Sequence, residues 1–296
     1  MRKISSTLLF LSVFVMLSQE ANTEQINTLK AKIATVESKE KLILLDSLTN
    51  LVFHEPTYNY DSIARVTIDL AVKEQEYNIA AKQTGNLIFY LVNRRRQFEE
   101  GLQLFKTTLA QNWKITDSIS LALLYGGGAD SFLESGLVKE SIQYYGITEK
   151  LYLNAKDSVM YGTIKGYKAH ALSQLGEFAK ASQEYQKALS IFTKRKDYES
   201  IIKLRIGLSI LYSQNDFYEE AEKEYIVIDS LAIQVKDYGA QMANLGNMAF
   251  DYAIQGKYAK SIACNKRRLQ ILEAHPELVF FESISYQELA VDYIAI

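Results

Sequence analysis

The sequence predicts an all-α protein built as a solenoid of antiparallel helix pairs. Residues of one chemical type recur every 40 positions from residue 78 onward, and the apolar residues within each interval follow helical spacing. The scarcity of proline agrees with this prediction. Only two prolines occur, Pro56 and Pro276, and both are predicted to lie in turns between helices.

The repeat is clearest between Leu175 and Leu189. Five positions spaced by 40 carry a small side chain, and these are Gly101, Ser141, Ala181, Ala221 and Ser261. Three positions earlier, four of the five repeats carry an aromatic residue, namely Phe98, Phe178, Tyr218 and Tyr258, with Val138 in the other repeat. One helical turn after the small residue stand Phe105, Tyr145, Tyr185, Tyr225 and Asn265. Each interval is therefore predicted to be one structural unit.

Aspartates mark where the first helix of a repeat should begin. Asp117, Asp157, Asp197 and Asp237 stand at one interval, and an aspartate in this position caps a helix by accepting a hydrogen bond from a free backbone amide. First helices are predicted near residues 78–94, 118–134, 158–174, 198–214 and 238–254. Second helices are predicted to begin near residues 98, 138, 178, 218 and 258.

Small residues allow the two helices of a pair to approach closely, as at Ala169 and Ala181, and Gly176 provides the turn between them. Each pair leaves an apolar face uncovered, so neighbouring pairs must stack. The pattern resembles the tetratricopeptide repeat (TPR) family, in a variant whose period is 40 residues rather than about 34. The resemblance implies a right-handed superhelical solenoid with a concave inner surface.

Residues 1–21 are predicted to be a secretory signal peptide. Arg2 and Lys3 precede an apolar run that is short for a membrane span, which needs about 20 apolar residues. An uncleaved anchor and a buried amphipathic helix remain alternatives. The chain is accordingly expected to be exported, either periplasmic or membrane-associated and facing the periplasm.

The remainder divides into three predicted segments. Residues 24–77 form an N-terminal helix and a degenerate TPR-like pair, and residues 78–281 form five TPR-like repeats of 40 residues. Residues 282–296 match the first helix of a further, truncated repeat, because Leu289 to Ile296 resembles Met248 to Gln255. We therefore expect the sequence to be a fragment of a longer protein.

Composition argues against several classes of function. The formal net charge is −2, so the chain has no broad basic surface for nucleic acid. The single cysteine, Cys264, suits a buried thiol, and the three histidines lie far apart in sequence. Gly126 to Gly128 fall inside a predicted helix and lack the lysine of a phosphate-binding loop. No catalytic residue, metal site or cofactor is predicted.

The family resemblance implies that a protein or peptide partner would bind to the concave surface formed by the first helices. The positions expected to form this groove are Asn86, Tyr90, Asn93, Asp130, His170, Ser173, Ser213 and Phe250. The Lys and Asn combination with which some relatives bind a terminal carboxylate is absent, so that class of ligand is not carried over.

The predicted function is a protein-protein interaction scaffold rather than an enzyme. The resemblance favours the extracytoplasmic TPR input region of a larger bacterial signal-transduction protein, of the histidine kinase or transcriptional regulator type. In that case a membrane span would follow the repeats. The alternative is a stand-alone exported TPR adaptor.

Overall fold

A computed structural model describes residues 23–295, apart from the side chains of residues 280 and 281. The predicted signal peptide lies outside the described residues. Within them the chain is helical without a strand, as predicted. The first helix, α1, spans residues 23–33. The helices that follow are α2 (Ser38–Val52), α3 (Tyr60–Lys73), α4 (Tyr77–Asn93), α5 (Phe98–Ala110), α6 (Ser118–Glu134), α7 (Val138–Asn154), α8 (Ser158–Gln174), α9 (Phe178–Arg195), α10 (Tyr198–Ser213), α11 (Tyr218–Val235), α12 (Tyr238–Ile254), α13 (Tyr258–Ala274) and α14 (Glu282–Ile294).

The helix starts agree closely with the prediction. The second helices α5, α7, α9, α11 and α13 begin at Phe98, Val138, Phe178, Tyr218 and Tyr258. The predicted aspartate caps are also confirmed. Asp117 accepts a hydrogen bond from the backbone amide of Ser120 at 2.7 Å, and Asp197 accepts one from Ser200 at 3.1 Å. Asp157 and Asp237 make the matching contacts in their own repeats. The side chain thus satisfies an amide that the helix leaves free.

The turns between paired helices use left-handed backbone. Gly136, Gly176 and Gly256 have φ of 77°, 78° and 70°. Arg96 and Asp216 hold the matching positions in the other two repeats with φ of 58° and 63°, although residues with a Cβ rarely adopt this conformation. Pro276 does not lie in a simple turn, because it opens a short 3₁₀ helix, Pro276–Phe281.

The chain divides into two compact units, between Leu151 and Tyr152. In the first unit, one core gathers Val52, Tyr60 and Leu91, and another gathers Ile88, Phe105 and Phe132. In the second unit, two of the clusters of buried residues lie where a first helix packs on a second helix. Their buried residues are Ile202, Ala221, Tyr225, Ile228 and Ala232 in one cluster, and Leu245, Ala249, Tyr252 and Cys264 in the other.

The predicted packing residues are buried to different degrees. All five small residues of the repeat are fully or almost fully buried, namely Gly101, Ser141, Ala181, Ala221 and Ser261. The aromatic residues three positions earlier are partly buried, namely Phe98, Phe178, Tyr218 and Tyr258. Among them, Phe178 stacks on Phe217 with ring centroids 5.1 Å apart. None of the described helices is long and apolar enough to cross a membrane.

Candidate functional site

In the first unit, Asp130 occupies a different environment from the one predicted. It was expected on the partner-binding surface, but it is only 9% exposed. Its carboxylate accepts hydrogen bonds from the Tyr145 hydroxyl at 2.5 Å and from the Asn93 amide at 3.2 Å. Burial raises the pKa of Asp130 to about 6, although both hydrogen bonds oppose the rise. Asp130 therefore supports the interior of the unit and is not available to a partner.

Tyr90 is also partly buried. Its ring lies 4.8 Å from the ring of Tyr60 and 6.5 Å from that of Phe53. Asn86 is half-buried beside a small cavity of about 160 Å³ that Tyr60 and Phe53 also line. Of the predicted groove residues in this unit, only Asn93 is largely exposed. Aromatic packing of this kind contributes to stability, so Tyr90 is a poor choice for testing binding.

In the second unit, the first helices place the predicted residues closer to solvent. His170 is exposed, and its Nε2 lies 3.0 Å from the side-chain nitrogen of Gln174. Ser173 and Ser213 are half-buried, and the Ser213 hydroxyl donates to Asp251 at 2.5 Å. Phe250 is 59% exposed, which is unusual for so large an apolar side chain.

A cavity of about 460 Å³ lies on this surface between α8 and α10, with α9 at its base. The predicted groove residue His170 contributes to its walls, together with Gly166, Ile206 and Ile210. Its volume falls in the range of about 300–1,000 Å³ that is typical of ligand pockets. The other residues lining the cavity are Thr163, Tyr167, Tyr185, Phe192, Ser200, Lys203, Leu204 and Gly207.

A second cavity, of about 570 Å³, lies between α12 and α14. Phe250, Ala253 and Val291 line it from the two helices, and Tyr258 lines it from α13. Val291 is exposed to a similar extent as Phe250, at 64%. The second unit therefore presents two apolar hollows on α8, α10, α12 and α14.

One pair of register positions, which was not predicted from the sequence, joins the two helices of a repeat at several places in the chain. Lys165 Nζ lies 2.9 Å from Glu184, and in the next repeat Arg205 lies 2.5 Å from Glu224. In the first unit, stacked rings of Tyr125 and Tyr144 hold the same positions, 5.8 Å apart. In the last pair the positions are occupied by Leu245 and Cys264, both buried. The sequence did contain a signal for the two ion pairs, because both consist of opposite charges 19 positions apart and the pairs themselves are one repeat apart.

The described residues contain one thiol, and their potential metal ligands are scattered. No group of three His, Cys, Asp or Glu side chains there could hold a metal ion. Burial raises the pKa of the Cys264 thiol to about 11, so the reactive thiolate is disfavoured at neutral pH.

Comparisons with known proteins identify the fold. No family model matches the chain, and no curated protein sequence matches it. Solved structures do match over most of its length. A signal transduction ATPase with a tetratricopeptide repeat sensor, from Pyrococcus horikoshii, superposes with a TM-score of 0.64 at 18% identity, covering 94% of this chain and 43% of that one.

Two further structures are similar. Aspartyl phosphate phosphatase F from Bacillus subtilis has a TM-score of 0.64 at 12% identity, covering 93% of this chain and 81% of that one. NprR in complex with its cognate peptide NprX has a TM-score of 0.55 at 20% identity, covering 84% and 71%. At these identities the likeness concerns the fold, and the chain accordingly has a TPR-like fold.

Proposed function

We propose that this protein is an interaction scaffold that binds a peptide or an extended protein segment on the first helices of its second unit. The observation that carries the proposal is the surface of α8, α10 and α12. There, the predicted groove residue His170 lines a cavity of about 460 Å³, and the predicted groove residue Phe250 is 59% exposed on α12. Exposed large apolar side chains beside a concave site are typical of a protein-binding surface.

The structural neighbours support this class of function. One was solved in complex with its cognate peptide, and another has a TPR segment described as a sensor. We further propose that the chain is a long-period TPR variant and the extracytoplasmic input region of a bacterial signal-transduction protein. The composition of residues 1–21 supports export. Edman sequencing of protein purified from its source would contradict export if the first residue were Met1.

The binding role is tested by selecting a phage-displayed library of linear peptides on the purified chain. A variant with His170, Ile210 and Phe250 all changed to Ala should bind the selected peptides at least about 10-fold more weakly, because central apolar contacts carry most of the binding energy. Fluorescence anisotropy would measure the affinities.

A matched control removes exposed apolar side chains elsewhere in the same unit. Leu153, Ile226 and Ile233 are 56%, 60% and 51% exposed, and they lie on second helices. Their replacement by Ala should leave peptide affinity within about 2-fold of the wild-type value, since residues outside the contact surface contribute little. Equal losses for the two triple variants, or no enriched peptide, would contradict the proposed function.

A further inference from the structure

Two repeats pair a buried tyrosine hydroxyl with an aspartate carboxylate. In the first unit, the Tyr145 hydroxyl donates to Asp130 at 2.5 Å. In the second unit, the Tyr225 hydroxyl donates to Asp251 at 2.8 Å. The two tyrosines occupy one register position, whereas the aspartates come from different positions on a first helix. In both repeats the chain itself supplies an anionic acceptor for a buried donor, as buried polar groups require.

Tyr185 occupies the same register position in the repeat between them and has no such acceptor. Its side chain is only 4% exposed, yet its hydroxyl has no hydrogen-bond partner among the described residues. His170 stands where Asp130 would be, and its ring is turned to Gln174 at 3.0 Å. Leu211, which cannot accept a hydrogen bond, stands where Asp251 would be. This repeat therefore keeps the donor and replaces both acceptors.

Tyr185 lines the cavity of about 460 Å³ from α9. The phenol lies against the backbone of α10 at Gly207, where a Cβ would stand 2.5 Å from the hydroxyl oxygen. A larger residue at position 207 would displace the Tyr185 ring, so the absence of a side chain at Gly207 leaves room for the phenol. Leu204 and Ile210 provide apolar walls beside it.

The charges around the cavity favour an anion. Lys203 is exposed and lines the cavity, and no Asp or Glu is among its described lining residues. Burial raises the pKa of Tyr185 to about 12, so its hydroxyl stays protonated and can donate at neutral pH. A hydrogen bond to an ionised acceptor is stronger than one to a neutral acceptor, which favours a carboxylate over an amide.

We propose that this cavity binds the side-chain carboxylate of an Asp or Glu residue in a partner peptide, with the Tyr185 hydroxyl as donor and Lys203 as the opposite charge. The ligand carboxylate takes the place that Asp130 and Asp251 fill in the other two repeats. Apolar residues beside the acidic residue pack against Leu204 and Ile210. This inference rests on the proposed function and specifies the chemistry of its ligand.

The test uses two blocked tripeptides as probes, acetyl-Leu-Glu-Leu-amide and acetyl-Leu-Gln-Leu-amide. They differ only in one carboxylate, and neither has a charged terminus. Heteronuclear NMR titration of the full chain should show that the Glu peptide binds about 10-fold more tightly than the Gln peptide, because hydrogen bonds to a charged group are the stronger ones. Tyr185→Phe should abolish most of that preference, and Lys203→Gln should reduce it.

Tyr218→Phe is the matched control. Tyr218 lies outside the cavity, and its hydroxyl is 2.8 Å from Asp216. This variant should keep the full preference for the Glu peptide. Equal binding of the two peptides, no binding of the Glu peptide at millimolar concentration, or an unchanged preference in Tyr185→Phe would overturn the assignment. None of these outcomes would change the result of the peptide-library selection. The proposed function can therefore be correct even if this inference is wrong.

Discussion

The ammonium of Lys165 lies 2.9 Å from the carboxylate of Glu184, and this ion pair joins α8 to α9 inside the second unit. The two side chains are only 5% and 11% exposed. A second lysine, Lys187, also lies 2.9 Å from Glu184 at the edge of the pair. Burial acts to raise the pKa of Glu184, but the hydrogen bonds from both lysines, together with the charges of Lys165 and Lys168, hold the pKa below its ordinary value.

Removal of one partner of this ion pair should be more harmful than removal of both. Lys165→Met leaves the Glu184 carboxylate buried without Lys165, although Lys187 still contacts it. This variant should lower the free energy of unfolding by about 3 kcal/mol. The double variant Lys165→Met, Glu184→Leu should lie within about 1 kcal/mol of wild type, since well-packed apolar residues can replace a buried pair. Leu245 and Cys264 already fill the equivalent positions in the last pair.

Urea denaturation followed by circular dichroism would measure both variants. The ion pair would have no structural importance if Lys165→Met unfolded at the wild-type urea concentration. A double variant as unstable as the single one would show that the site requires charge and not only volume.

Asp130 should make the first unit more stable as the pH falls from 7 toward 4.5. Its pKa in the folded chain is about 6, above the ordinary value of 3.8, so the folded state holds the proton more tightly than the unfolded state. The stabilising contribution of Asp130 is fully present at a pH below its ordinary pKa, and it is lost as the pH rises through the pKa of the folded chain. Asn does not titrate at this position. As the pH falls over this range, the free energy of unfolding of wild type should therefore rise by about 1–3 kcal/mol relative to that of Asp130→Asn.

The measurement is urea denaturation of both proteins at several pH values, followed by the fluorescence of Trp113 in the first unit. Parallel pH profiles for wild type and Asp130→Asn would contradict the assigned shift. If wild type instead became more stable relative to Asp130→Asn as the pH rose, the pKa of Asp130 would be lowered by folding and not raised.

Gly85 and Gly146 should respond oppositely to replacement by Ala. A Cβ at Gly85 would lie 2.4 Å from the backbone carbonyl carbon of Leu123, so α4 and α6 would have to separate. Gly85→Ala should therefore destabilise the chain by about 1–3 kcal/mol. A Cβ at Gly146 meets no atom within 4 Å, and Gly146→Ala should stabilise α7 by about 0.5–1 kcal/mol. Thermal melting would compare the two variants. A similar change of the melting midpoint in both would show that helix propensity alone determines the effect of the substitution on stability.

Ala181→Leu should overpack the contact between α8 and α9. Ala181 is completely buried, so the added volume must displace neighbouring atoms, at a cost of about 1–3 kcal/mol. Ala179→Leu is the control, because Ala179 is exposed on the same helix. An unchanged melting midpoint in Ala181→Leu would mean that the assigned repeat register is wrong.

The sequence was sufficient to predict the helices, because the signals that start and stop a helix are local. Asp117 and Asp197 cap the helices that follow them through atoms three residues away, and Gly176 forms its turn through its own backbone. Helices of regular length and spacing then repeat these local signals. The predicted helix starts consequently differ from the observed ones by a residue at most in the five regular repeats.

The environment of each groove residue was decided by tertiary packing. Asp130 and His170 hold the same register position, yet one is buried under Tyr145 and the other is exposed beside Gln174. The sequence period places both on the same face of a first helix, which made them look equivalent.

The sequence by itself therefore determined that the chain forms paired helices and where each helix begins. Tertiary structure decided which polar groups meet inside the pairs. Whether Tyr145, Tyr185 or Tyr225 finds an acceptor depends on side chains that are 15 to 26 positions away and belong to another helix. A periodic pattern fixes positions along the chain, but burial and hydrogen bonding depend on which side chains the neighbouring helices bring to each position.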